Sequence, residues 1–155
     1  MEQYMTMTLQ EISDRMEINN LLIDYCTAVD ARDFDAFDAI FTSDAFIDYT
    51  ALGGPSGTRA EIKEYLGRVM PNFPASQHLI ANSRVWIDGD TARARTMCHN
   101  PMVVPLPDEG TQVAFYGLWY VDQLLRTAEG WRIRERVEER SYDFNVPTRF
   151  KSFSS

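Results

Sequence analysis

The hydrophobic pattern of the chain changes its period once, near Pro71 and Pro74. Before these prolines, apolar residues recur at the three- to four-residue spacing of amphipathic helices. Two capping boxes, Thr8 to Glu11 and Thr58 to Glu61, mark where two of these helices begin. After the prolines, long stretches alternate apolar and polar residues, which is the pattern of half-buried strands. Helices followed by a long antiparallel sheet predict an α+β fold.

The predicted elements are three helices and a curled sheet. The first helix follows Thr8 and ends at Ala31-Arg32-Asp33, a short second helix covers residues 34–41, and the third follows Thr58 and ends before Pro71. The predicted strands cover residues 46–49, 78–88, 91–104, 113–126 and 131–142. We expect the curved, mixed or antiparallel sheet, wrapped by the three helices, to form a cone around an interior pocket.

The length of 155 residues predicts a single domain over residues 1–155, with residues 143–155 as a C-terminal tail. Phe150 and Phe153 lie among polar residues in this tail. Three interpretations of the tail are open: it covers the mouth of the pocket, it packs on a neighbouring subunit, or it is disordered.

The net charge of −8 and pI near 4.7 argue against nucleic-acid partners and anionic membrane surfaces. Apolar runs are shorter than the roughly 18 residues of a membrane span, so no membrane insertion is expected. The N-terminus has neither the basic nor the apolar region of a signal peptide, which predicts a cytoplasmic protein. Cys26 and Cys98 are then expected to be reduced.

The sequence offers no pattern for a metal or an organic cofactor. Its two histidines, His78 and His99, lie far apart and outside any clustered ligand spacing. Glycine-rich nucleotide loops and the Gly-x-Ser-x-Gly motif of acyl-enzymes are also missing. We therefore expect chemistry that needs no cofactor.

Three side chains are candidates for proton transfer: Tyr25 and Asp30 on the first helix, and His78 at the start of a strand. An aspartate bound to one imidazole nitrogen fixes the tautomer and stabilises the protonated ring, and a nearby phenol gives or takes a proton. Purely structural roles remain open for all three residues. Asp30 could be a solvated or helix-capping charge, Tyr25 a core residue, and His78 a ring whose nitrogens are hydrogen-bonded within the fold. Five positions on a helix span about 140°, so Tyr25 and Asp30 share a pocket only if it wraps the helix or the helix unwinds.

Four arginines alternate on the last predicted strand, and period two places them on one face. They either form a charged outer face paired with neighbouring acidic residues, or point into the pocket toward an anionic ligand. The arginines are Arg132, Arg134, Arg136 and Arg140.

Four segments of the chain carry a resemblance to a known family. They are Ile18-Asn19-Asn20-Leu21-Leu22-Ile23-Asp24-Tyr25, Val29-Asp30-Ala31-Arg32-Asp33, Gln77-His78-Leu79 and Gly130-Trp131-Arg132-Ile133. Over residues 9–142 the sequence resembles the SnoaL-like family of the cone-fold superfamily that includes scytalone dehydratase and ketosteroid isomerase. The Tyr-x4-Asp spacing with a later histidine is most similar to bile acid 7α-dehydratases and, with lysine in place of Tyr25, to hexachlorocyclohexane dehydrochlorinases.

The resemblance implies a catalytic set of His78, Asp30 and Tyr25. It also implies that Arg136 matches an active-site arginine and, more loosely, that His99 matches a second catalytic histidine. With Tyr49 and Trp119 as pocket wall, the expected substrate-binding residues are Arg136, His99, Tyr49 and Trp119.

The implied function is a cofactor-independent lyase of dehydratase type, acting on an apolar cyclic molecule such as a steroid or polyketide. Two alternatives stay open: an isomerase or cyclase that uses the same site, and a non-catalytic binding domain or scaffold like the small subunit of ring-hydroxylating dioxygenases. The family implies a homotrimer, with a homodimer as the second possibility.

Overall fold

A computed structural model describes residues 6–151, so the predictions for the first residues and for Phe153 lie outside the described part. Single 3-10 turns occur at Phe34–Ala36, Thr50–Leu52 and Met70–Asn72. The helices are α1 (Leu9–Ala31), α2 (Phe37–Ile40), α3 (Arg59–Val69) and α4 (Thr148–Lys151). The strands are β1 (Phe41–Asp48), β2 (Ser56–Thr58), β3 (Ala75–Ser76), β4 (Leu79–Asp88), β5 (Thr91–Pro105), β6 (Thr111–Thr127) and β7 (Gly130–Phe144).

Both predicted capping boxes are confirmed. The Thr8 hydroxyl accepts a hydrogen bond from the backbone N–H of Glu11, whose carboxylate accepts one from the Thr8 N–H. The same reciprocal pair opens α3. Helix α1 ends where predicted, because Arg32 adopts a left-handed φ of 61° and its N–H bonds back to the last turn. These local signals fix the helix that carries Tyr25 and Asp30.

The strands form one mixed sheet in the order β2-β1-β7-β6-β5-β3, and β4 also pairs with β5. Strands β1 and β7 run parallel, and the other pairs are antiparallel. Helices packed on one side of this curled sheet give the predicted α+β cone. Strand β1 starts earlier than expected, because Phe41 pairs with Ile133 and ends the short helix at Ile40.

A bulge in β7 reverses which residues face inward. Ile133 pairs with Leu124 and Glu135 pairs with Gln123, so Arg134 is an extra residue between them. Ile133 is buried before the bulge and Arg136 after it. The prediction that all four arginines share one face is therefore wrong, since strict period two holds only for an uninterrupted strand.

A polar cluster fixes α1 to the sheet. The Asp14 carboxylate accepts hydrogen bonds of 2.6 and 2.7 Å from the Arg126 guanidinium and one of 3.1 Å from Trp131 Nε1. Bonding to Arg126 outweighs burial and holds the pKa of Asp14 well below its ordinary value. The tie sets the position of the helix against β6 and β7. Within residues 6–151, the helices are too short or too polar to cross a membrane.

Candidate active site

The concave face of the sheet and the helices enclose a mainly apolar cavity of about 660 Å³. This volume lies within the range of roughly 300–1,000 Å³ that small-molecule sites occupy. Its polar lining includes Tyr25, Tyr49, His78, Asn100 and Glu138. Its apolar lining includes Val29, Leu52, Leu66, Val69, Met70, Phe73, Met102 and Phe150.

Asp30 and His78 are in direct contact. Asp30 Oδ1 lies 2.7 Å from the ring Nδ1 of His78, and Oδ2 accepts a 2.7 Å hydrogen bond from the His78 backbone N–H. The Ser76 hydroxyl donates a third bond, of 2.8 Å, to Oδ1. Burial alone would raise the pKa of Asp30, but the bonds from His78 and Ser76 outweigh it and lower the pKa. The carboxylate is therefore ionised and suited to hold an N–H on Nδ1.

Arg32 supports the Asp30–His78 pair from behind. Its guanidinium donates to the Ser76 hydroxyl at 2.8 Å, to the carbonyl of Val29 at 3.0 Å and to the carbonyl of Phe73 at 3.2 Å. These bonds connect the end of α1 to the segment that leads into β4. Sequence reasoning treated Arg32 only as part of a helix stop and missed this role.

Tyr25 and Asp30, which lie about 140° apart around α1, do not need to face the same cavity. Tyr25 and His78 line the cavity, whereas Asp30 does not. The His78 side chain is 7% exposed and the Asp30 side chain 25%. Asp30 thus acts on the cavity through the imidazole, and neither an unwound helix nor a pocket around it is needed. In the neutral imidazole, an N–H on Nδ1 leaves Nε2 as a hydrogen-bond acceptor.

Tyr25 and Tyr49 form a hydroxyl pair in the cavity wall, with their oxygens 2.6 Å apart. Both residues are buried, and burial raises the pKa of each phenol far above its ordinary value. Two phenols carry two protons, of which the shared hydrogen bond uses one. The other O–H is available to an oxygen atom in the cavity.

Arg136 lies beneath the cavity wall, not in it. Its Nε and Nη2 each donate a 2.7 Å hydrogen bond to the Asp122 carboxylate, and both residues are fully buried. The rings of Tyr25 and Tyr120 lie 4.0 and 4.1 Å from the guanidinium carbon. The sequence analysis expected Arg136 to bind substrate. In the structure it holds the Tyr25 ring in place.

His99 and Trp119 lie on the outer face of the sheet. The His99 ring stacks on Phe115, and its Nδ1 lies 3.0 Å from the Tyr142 hydroxyl. The Trp119 ring is covered by the Arg95 guanidinium at 3.9 Å. The residues next to His99 and Trp119 on their strands are buried in the core. Because successive strand residues point to opposite faces, His99 and Trp119 point outward. Of the four expected substrate-binding residues, only Tyr49 lines the cavity.

Two polar residues in the cavity wall escaped sequence reasoning. Asn100 is 7% exposed, and among residues 6–151 its side-chain carbonyl finds no hydrogen-bond donor. Burial raises the pKa of Glu138 to about 8. Glu138 faces inward only because of the bulge at Arg134, which no local pattern signals. In the described part of the chain, no three His, Cys, Asp or Glu side chains are grouped to hold a metal ion.

Some known proteins are similar to this chain in sequence, and others are similar to it in structure. It is 49% identical over 136 residues to the uncharacterised protein Rv2910c of Mycobacterium tuberculosis, covering 88% of this chain and 91% of the relative. A candidate scytalone dehydratase from Novosphingobium aromaticivorans has a TM-score of 0.79 at 16% identity, covering 92% of this chain and 93% of the other.

A hexachlorocyclohexane dehydrochlorinase from Novosphingobium barchaimii has a TM-score of 0.75 at 17% identity, covering 90% of this chain and 94% of the other. At such identities the two structural likenesses establish a common fold. The family model described as SnoaL-like domain matches residues 10–137. The chain therefore belongs to the SnoaL-like domain family.

Proposed function

We propose that the protein is a cofactor-independent lyase that removes water from an apolar cyclic substrate. The observation that carries the proposal is the 2.7 Å contact between Asp30 Oδ1 and His78 Nδ1, behind an imidazole that lines an apolar cavity. A scaffold needs no such pair, whereas a proton-transfer enzyme does. The shared fold with a candidate dehydratase and a dehydrochlorinase adds support.

In the proposed reaction, His78 Nε2 takes a proton from a carbon next to a carbonyl group. Asp30 holds the opposite ring nitrogen and stabilises the imidazolium that forms. The Tyr25–Tyr49 pair donates a hydrogen bond to the carbonyl oxygen, where negative charge develops. The C–H electrons form the new double bond, and the C–O bond to the hydroxyl breaks. His78 returns its proton to the departing hydroxyl, so water leaves and the site is restored.

The cavity supports a substrate with a rigid apolar body and few oxygen functions. Its walls are mostly aliphatic and aromatic, and its volume of about 660 Å³ accommodates a fused-ring molecule. Steroid-like and polyketide-like hydroxyketones meet this description.

The test is a panel of hydroxylated cyclic ketones, analysed by mass spectrometry for loss of one water. We expect His78→Ala to abolish turnover while circular dichroism stays unchanged. His99→Ala is the matched control: this histidine lies on the outer face, so we expect its loss to leave turnover intact. Equal activity of His78→Ala and the unaltered protein would contradict the proposal.

An isomerase or cyclase with the same site is the second candidate. Tyr25 and Tyr49 would stabilise an enolate, and His78 would return its proton to another carbon. The products then keep the mass of the substrate, whereas dehydration loses one water. A binding scaffold would bind the ketones without turnover in any variant.

The proposal extends to assembly as a homotrimer, with a homodimer as the alternative. One end of the outer face carries the exposed apolar side chains of Val113, Tyr142 and Phe144, which the register of β6 and β7 brings close together. Exposed apolar patches of this kind mark interaction surfaces. Light scattering should give the mass of three chains, and Phe144→Asp should reduce it. A monomeric unaltered protein would contradict this part.

A further inference from the structure

Glu138 is an acidic side chain in a wall made mainly of rings and aliphatic groups. It lies on β7 two residues after Arg136 and pairs with Tyr120 on β6. Successive even positions after the bulge share the inward face, so Glu138 lines the cavity next to the Tyr25–Tyr49 pair. The titratable and charged groups around it are Arg136, Asp48, Tyr25, Tyr49, Tyr65, Cys98 and Tyr120, with His78 and Arg68 elsewhere in the lining.

No cation neutralises Glu138 by contact. Arg136 lies two residues earlier on this face, and its charge favours ionisation of Glu138, although less than burial opposes it. Its Nε and Nη2 donate to Asp122, and its Nη1 has no hydrogen-bond partner among residues 6–151. Within residues 6–151, the Glu138 carboxyl has neither a hydrogen bond nor an ion pair, and the Asp48 charge acts against its ionisation. A carboxylate without partners in an apolar wall pays a desolvation cost that the neutral acid avoids.

The two carboxyl groups near the cavity are therefore in opposite states. Asp30 accepts three hydrogen bonds, which stabilise its charge. Burial raises the pKa of Glu138 to about 8, so near neutrality it carries a proton. A protonated carboxyl is a hydrogen-bond donor, which an ionised one is not. Paired carboxyls with divergent environments typically have different chemical roles.

Resting on the proposed function, we propose that Glu138 is a further substrate-binding residue of this site, in addition to Tyr25 and Tyr49. Its carboxylic acid donates a hydrogen bond to a carbonyl or hydroxyl oxygen of the substrate. The cavity thereby favours uncharged oxygenated ring systems over carboxylates of the same shape, because a charged group would lose its hydration among the mainly apolar walls.

Two probes of matched shape test this selectivity: 2-acetylnaphthalene, a neutral ketone, and 2-naphthoate, a carboxylate. Isothermal titration calorimetry of the full chain at about pH 6 and about pH 10 brackets the ionisation of Glu138. The variants are Glu138→Gln, which keeps a neutral donor, and Glu138→Leu, which removes it. Glu139→Gln is the matched control, because Glu139 is the next residue and pairs with Arg95 on the outer face.

We expect the unaltered protein and Glu139→Gln to prefer the ketone about tenfold at the lower pH and to lose about tenfold in ketone affinity at the higher pH. Glu138→Gln should bind the ketone with nearly equal affinity at both values. Any other group whose charge changes over this pH range acts equally on this variant and is thereby controlled. Glu138→Leu should bind the ketone weakly throughout.

Three results would overturn the proposal: ketone affinity in the unaltered protein that does not change with pH, a pH effect retained in Glu138→Gln, or failure of the folded protein to bind the ketone. The binding assay needs no turnover. A negative binding result would therefore contradict the role of Glu138 and not the proposed chemistry of Asp30 and His78. A lack of turnover on hydroxyketones would contradict the proposed function and not the binding role of Glu138.

Discussion

The Asp30 carboxylate binds His78 through two different groups of that residue. One oxygen accepts from the backbone N–H and the other contacts the ring Nδ1, both at 2.7 Å. The backbone bond fixes where the chain enters β4, and the ring bond fixes how the imidazole is turned. The same side chain therefore sets both the position and the orientation of the proposed base.

Asp30→Asn should separate these two contributions. An amide can keep the bond to the backbone N–H, but it no longer stabilises the imidazolium, so turnover should fall ~10²–10⁴-fold. Steady-state kinetics with a hydroxyketone substrate measures the change. Asp33→Asn is the control, because Asp33 is exposed and lies just beyond the helix end. Equal turnover of Asp30→Asn and Asp33→Asn would count against the dyad.

The Tyr25–Tyr49 pair should behave as one unit. Tyr25→Phe and Tyr49→Phe each keep the ring and remove one hydroxyl of the 2.6 Å pair. We expect each to lower kcat/KM about tenfold or more, and the double variant to be little worse than the poorer single one. A double-mutant cycle measures this coupling. Losses that simply multiply would show that the hydroxyls act independently.

Glu138 should make the free energy of unfolding depend on pH between 4.5 and about 8. Its pKa rises from an ordinary 4.5 to about 8 on folding, because burial disfavours the charged form. The folded state then holds the proton more tightly than the unfolded state. Its contribution is complete below pH 4.5 and is lost as the pH rises to about 8.

The free energy of unfolding in urea measures this effect. Relative to Glu138→Gln, the unaltered protein should lose up to about 1.4 kcal/mol per pH unit in that window and no more above it. Glu139→Gln should follow the unaltered protein. A constant difference between the unaltered protein and Glu138→Gln across the window would show that Glu138 is ionised in both states.

Removing one partner of the buried Arg136–Asp122 pair should lower the free energy of unfolding strongly, whereas replacing both partners by apolar residues should lower it little. Arg136→Met leaves a buried carboxylate and Asp122→Leu a buried guanidinium, so each should lower the free energy of unfolding by about 3–5 kcal/mol. The double variant should recover most of this loss, because no uncompensated charge remains. Urea midpoints test the pattern. Additive losses would contradict this prediction, because they would show that the two side chains contribute to stability independently.

Local sequence signals accounted for α1, α3 and the type of fold, but not for α4 in the C-terminal tail. The Thr8–Glu11 and Thr58–Glu61 capping boxes involve residues three positions apart, so they are visible in the sequence. The switch from helical to alternating patterns likewise predicted the long strands. The approach of Asp30 to His78 was expected from family resemblance, because the two residues are too far apart in sequence for spacing to reveal a contact.

The remaining site residues depend on contacts that the sequence does not display. The bulge at Arg134 arises from the register between β6 and β7, and it alone turns Arg136 and Glu138 inward. The bond from Arg32 to Ser76 joins residues 44 positions apart. His99 was expected in the pocket, but its strand position places it on the outer face.

Asp30 reaches the cavity only through His78, while most of the residues that line the cavity lie on elements other than α1. The walls can therefore change by mutation without disturbing the pair that moves the proton. Under the proposed function, substitutions in the lining would change which molecule fits, while the contact between Asp30 and His78 would stay as it is.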